Sequence, residues 1–125
     1  MTLEDIKTVS LPDTKKELRQ MEIDYNRSPQ TVDGYGSEND QSIYVGSIIY
    51  GLDAPKDFSF SIVNGKCVII DGVKRLNAII RFLNSEITVQ GKHFKDFSNE
   101  QLNNTKLTFT TVGSEGTKLF HAFNQ

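Results

Sequence analysis

The chain has 125 residues, 37% hydrophobic and 24% charged, with a formal net charge of −2. That length predicts one domain with one core. The charge argues against a dedicated duplex-DNA binder, which carries a basic excess, and it is too weakly acidic for a DNA mimic. Cys67 is the single cysteine, which excludes an intramolecular disulfide and a thiolate metal cluster. No apolar stretch has the length of a membrane span and no leader-like segment opens the chain, so the sequence predicts a cytoplasmic protein with no membrane partner.

The polar N-terminal part predicts a helix over Thr14–Met21, with Asp13 as its cap after Pro12. Glu22-Ile23-Asp24-Tyr25 reads as a short strand, and Asn26 to Gln41, rich in Gly, Ser, Asn and Asp, as a loop. Ser42–Gly51 carries Ile43, Val45, Ile48 and Ile49 and reads as a helix. Phe58-Ser59-Phe60-Ser61-Ile62 alternates apolar and polar, the mark of a half-buried strand. Asn64-Gly65 then signals a tight hairpin, and Lys66–Ile70 returns as the second strand, with Cys67-Val68-Ile69-Ile70 as a buried run.

Leu76, Ile79, Ile80 and Leu83 form an i, i+3, i+4, i+7 stripe and predict an amphipathic helix, with Lys74, Asn77 and Arg81 off the stripe. Ile87–Val89 and Lys92–Phe94 flank Gln90-Gly91 as a second small hairpin. Ser98-Asn99-Glu100-Gln101 has the form of a capping box and starts a short helix. Lys106–Val112 alternates, is rich in threonine, and predicts a strand. Gly113 to Gly116 reads as a loop, and Thr117–Phe123 as the opening of a helix. The whole predicts a small α+β domain.

Asp71-Gly72-Val73-Lys74-Arg75 lies at the junction of the returning strand and the amphipathic helix. Gly72 marks the turn and Asp71 is placed to cap the helix. Lys74 and Arg75 fall in its first turn, where the helix dipole disfavours each cation by roughly 0.3–1 kcal/mol. A bound anion such as phosphate would reverse that cost. There is no G-x-x-x-x-G-K-[ST] loop.

A strand ending in Ile69-Ile70-Asp71-Gly72, one variable residue, Lys74-Arg75 and an apolar helix resembles the DGQQR motif of the N-terminal domains of GmrSD-type restriction enzymes. Those domains are related to the ParB/sulfiredoxin fold. Asp24-Tyr25-Asn26-Arg27 is similar to the family's early YQR. Ser47 to Gly51 with Pro55 looks like its ESILLGxPIP segment, Phe97 to Leu102 like its LSEEQ helix start, and Phe120 to Asn124 falls where the family has FxRIN. The markers run in family order. Val73 and Lys74 stand in place of the two glutamines, and Ala122 in place of the arginine of FxRIN. The resemblance implies an altered copy, shortened at its C-terminus, of a ParB/sulfiredoxin-like domain.

What the resemblance implies is a nucleoside triphosphate ligand, with Mg2+ as a candidate companion, in restriction-modification or phage defence. It assigns Asp71 and Arg75 as catalytic residues. It assigns Gly72, Lys74, Arg75, Tyr25, Arg27 and Asn124 to nucleotide binding, with weakened or no NTPase turnover. Each of these residues also has a structural reading: Asp71 as a cap, Gly72 as a tight turn, Lys74 and Arg75 as a solvated helix face, Arg27 as a surface residue. The four tyrosines are candidates for base stacking, and Phe120 and Phe123 read as core or interface residues. His93 and His121 lack a second ligand at metal spacing, so no metal site is expected. The sulfiredoxin relatives place a cysteine at the turn itself; Cys67 lies four residues earlier and is not read as a nucleophile. Two rivals remain. One is a non-catalytic interaction module, a decoy or inhibitor, with a protein partner or self-association through the C-terminal helix. The other, ranked last, is a DNA nuclease; direct DNA binding is left open.

Overall fold

The structure, a computed structural model, describes residues 3–23 and 37–113. Its organising element is the hairpin of β2 (Asp57–Val63) and β3 (Lys66–Asp71). Asn64 and Gly65 both have positive φ, 52° and 78°, and Val63 pairs with Lys66 across the turn. Positive φ at both central residues is what a type I′ turn requires, and its twist matches that of the strands.

Beyond the hairpin the strands are β1 (Leu3–Ser10) and β4 (Lys106–Gly113), and the sheet order is β1-β4-β2-β3. β1 lies antiparallel to β4, β4 parallel to β2, and β2 antiparallel to β3. The sheet is therefore mixed and the domain is α+β. The helices are α1 (Thr14–Gln20), α2 (Glu38–Ile49), α3 (Val73–Leu83) and α4 (Asn99–Asn103).

The core forms on one face of the sheet. Val9 of β1, Leu107 and Phe109 of β4, and Phe58 and Phe60 of β2 are buried there, with Leu18 of α1, Val45 and Ile48 of α2, and Leu76, Ile79 and Phe82 of α3. The Phe109 ring lies 5.6 Å from Phe58 and 5.0 Å from Phe60, edge-on or tilted, the arrangement aromatic quadrupoles prefer. α2 and α3 pack together, and Arg81 of α3 donates to Oε1 of the buried Gln41 at 2.7 Å.

Several expectations need correction. β1 was not foreseen, because its sequence alternates weakly and carries Asp5 and Lys7 on the core side of the strand. Glu22 and Ile23 are not strand: Glu22 turns the chain at φ 58° directly after α1. The loop read to Gln41 ends earlier, because Ser37 accepts from the Asp40 N–H and starts α2 at Glu38. Asp13 occupies the cap position of α1 without making a side-chain cap bond, since a 3-10 turn over Leu11–Asp13 leads straight into the helix. Cys67-Val68-Ile69-Ile70 is not a buried run. β3 is an edge strand among the described residues, and Val68 and Ile70 are 40% and 58% exposed. The Gln90-Gly91 turn is present as a single bridge between Val89 and Lys92. Ser98 accepts from the Gln101 N–H and starts α4 as expected. Asp24, Tyr25 and the helix read over Thr117–Phe123 lie outside the described residues.

Phe109 joins both phenylalanines of β2 to the centre of the sheet. Phe109→Ala is expected to cost about 3–5 kcal/mol, the usual penalty for emptying a buried aromatic site. Urea unfolding followed by circular dichroism measures it.

Candidate functional site

The turn between β3 and α3 is built around Gly72. Its φ of 100° is left-handed backbone, open to glycine and strained for other residues. A Cβ at this position would also stand 2.6 Å from Cδ1 of Phe58. The site thus needs glycine for two reasons, one in its own backbone and one in the core beneath it.

Asp71 is not the cap of α3. Gly72, in left-handed backbone, holds the cap position and brings no side chain to it, so Asp71 stands one residue outside the cap. The Asp71 side chain is exposed and lies 3.7 Å from Nη2 of Arg75. α3 carries no acid in its first turn, whereas α1 and α4 each have one and α2 has two.

Arg75 faces inward more than its position in a first turn suggests. Nη1 donates to the Asp57 carbonyl at 2.9 Å, and the guanidinium lies over the Phe58 ring, 5.1 Å from its centroid. Such a cation–π contact contributes about 0.5–1 kcal/mol at an exposed site and more when shielded. Arg75 also lies beside the Tyr44 hydroxyl, which donates to the Pro55 carbonyl at 2.6 Å. One side chain therefore ties α3 to α2, to the entry of β2 and to the end of β3. Lys74, by contrast, is exposed.

Ile70, Asp71, Gly72, Val73, Lys74 and Arg75 line an open depression of about 370 Å³. The site residues read from the sequence therefore separate into two groups. Asp71, Gly72, Lys74 and Arg75 meet at this depression. Tyr25, Arg27 and Asn124, together with Tyr35, His121, Phe120, Ala122 and Phe123, lie outside the described residues. Sequence reading missed Phe58 and Asp57, and read Tyr44 only as a candidate for base stacking. Nothing local connects them to Gly72; the one usable signal was that Phe58 opens the alternation of β2.

The remaining chemistry is spread out. Tyr50 tilts against Phe97 at 6.3 Å. Burial pushes the Cys67 thiol up, which disfavours the nucleophilic thiolate. Among the described residues no three His, Cys, Asp or Glu side chains gather where they would hold a metal ion, and no helix is long and apolar enough to cross a membrane. No protein-family model, curated protein or solved structure matches the chain.

Two predictions follow from this geometry. Gly72→Ala is expected to destabilise the protein more than Gly51→Ala does. Both residues have positive φ, costing roughly 1–2 kcal/mol for a Cβ, but Gly51 has open space around it and Gly72 has the Phe58 ring. Comparing the two unfolding free energies isolates the clash.

The Tyr44 phenol is pushed up to about 12, first by burial, against the opposing pull of the Arg75 guanidinium. The folded protein holds this proton more tightly than the unfolded chain, where tyrosine titrates near 10. Its contribution is thus whole below pH 10 and is lost as pH rises towards 12. Stability measured by urea unfolding should fall across that window, and less steeply in Tyr44→Phe.

Proposed function

We propose that the chain binds the phosphate groups of a nucleotide at the start of α3, without hydrolysing it. The observation that carries this reading is the pair of cations, Lys74 and Arg75, in the first turn of α3, where α1, α2 and α4 carry acids. The positive end of the helix dipole favours an anion. Lys74 and Arg75 outnumber Asp71 at the mouth of the depression. The resemblance to the DGQQR motif supports the same reading and supplies the nucleotide.

Turnover is another matter. Hydrolysis of a phosphoanhydride needs groups that place the attacking water and stabilise charge on the transferred phosphoryl. The Arg75 fork already serves the Asp57 carbonyl and the Phe58 ring, and Asp71 is drawn to Arg75. Val73 and Lys74 stand where the resembled motif has glutamines. This arrangement suits holding a nucleotide more than cleaving it. Asp71 is the carboxylate of the motif that would hold a Mg2+ ion bound with the nucleotide.

Isothermal titration with ATP, GTP, CTP, their diphosphates and inorganic phosphate tests the reading. Binding of at least one nucleotide is expected, with Lys74→Ala weakening it roughly tenfold, about the value of one charge-assisted hydrogen bond. Phosphate release should stay at background with Mg2+ present. Absence of heat with every nucleotide, or full affinity in Lys74→Ala, overturns the proposed site.

A further inference from the structure

We infer that β3 is a self-association edge: two copies of this chain pair their β3 strands antiparallel about a two-fold axis, joining two sheets into one. The inference stands apart from nucleotide binding and rests on the register of the hairpin.

The two edges of the sheet differ. β1 carries Asp5 and Lys7, and Lys7 pairs with Glu17 at 2.7 Å; charges on an edge discourage further pairing. β3 has four uncharged residues in a row, Cys67 to Ile70, and among the described residues it pairs with β2 alone. Val68 and Ile70 are largely open to solvent, with Val63 of β2 46% exposed beside them.

The hydrogen-bond parity follows from the turn. In a two-residue hairpin the flanking pair, Val63 and Lys66, exchanges backbone bonds, and the alternation of an antiparallel ladder makes Val68 and Ser61 the next bonded pair. The N–H and C=O groups of Cys67 and Ile69 therefore point outward, to the free edge. Two such edges related by a two-fold axis through Val68 set Cys67 of each copy opposite Ile69 of the other. All outward groups of these residues are then paired, four bonds in total by the antiparallel pattern.

The side chains agree with this register. Lys66 and Val68 share the face opposite the core, and a register slip at Ser59/Phe60 brings Asp71 opposite Ser59, onto that same face. The two-fold axis then places Val68 against Val68, and the Lys66 end of one strand against the Ile70-Asp71 end of the other. The strand carries its cation at one end and its anion at the other, so antiparallel pairing joins unlike charges twice, whereas parallel pairing would set like charges together.

Two measurements test the inference on the full chain. Sedimentation velocity over roughly a hundredfold range of concentration should show a reversible dimer, as mass action requires, and Val68→Lys should abolish it while leaving the monomer's unfolding unchanged. In a Cys67→Ser background, Val68→Cys should form an intermolecular disulfide under mild oxidation. Val68 faces its own copy in a non-hydrogen-bonded pair, where Cα atoms are about 4.5 Å apart and within disulfide reach. Val63→Cys in the same background is equally exposed but off the axis, and should cross-link much more slowly. A monomer at all concentrations, a dimer indifferent to Val68→Lys, or equal cross-linking of the two variants overturns the inference.

Discussion

The contact between the Phe58 ring and the backbone of Gly72 is the constraint on which the site depends. Phe58 is fully buried and held edge-on by Phe109, so it cannot retreat. The chain leaving β3 must pass over it without a side chain, and it does so in left-handed backbone. That passage aims α3 back across the core, with Leu76 and Ile79 following Phe58 into the apolar layer. Arg75 then lies down on the same ring from above. The core and the candidate site thus share one aromatic side chain.

This sharing explains the division of labour among the charges at the turn. Arg75 is half of an electrostatic oddity, a cation at the positive end of a helix, but it is compensated locally by the Asp57 carbonyl, the π face of Phe58 and the Asp71 carboxylate. Its guanidinium is a structural tie. Among the described residues Lys74 has no such anchorage, and it remains exposed. Of two adjacent cations, one is thus committed to the fold and the other faces solvent, where a diffusing anion would meet it first.

Much of the architecture was legible in the residues. Asn64-Gly65 located the hairpin because few residues accept two positive φ values in succession. The spacing of Leu76, Ile79 and Leu83 located α3, and Ser98 with Gln101 located α4, since both are local patterns with direct physical causes. What was not legible depends on the third dimension. An apolar run such as Cys67 to Ile70 looks the same whether a strand lies at the centre or the edge of a sheet. Asp71 precedes a helix as a cap does, but the cap position falls on Gly72, one residue later. β1 owes its existence to pairing with β4 and has little strand signal of its own. The ring beneath Gly72 comes from 14 positions earlier in the numbering, too far for any local pattern.

The strand order also dictates how the molecule must assemble. β4, the last strand described, lies between β1, the first, and β2, and Leu3 pairs with Gly113. The hairpin and α3 are built from near neighbours and can form early, whereas β1 has to wait for β4 to reach it. Closing so long a loop is slow compared with forming local contacts. Of the four strands described, β1 is synthesised first and finds its sheet last, so its charged residues wait unpaired while β2, β3 and β4 are made. An N-terminal strand interrupted by Asp5 and Lys7 is suited to that interval, because charge keeps an unpaired edge from joining the wrong sheet.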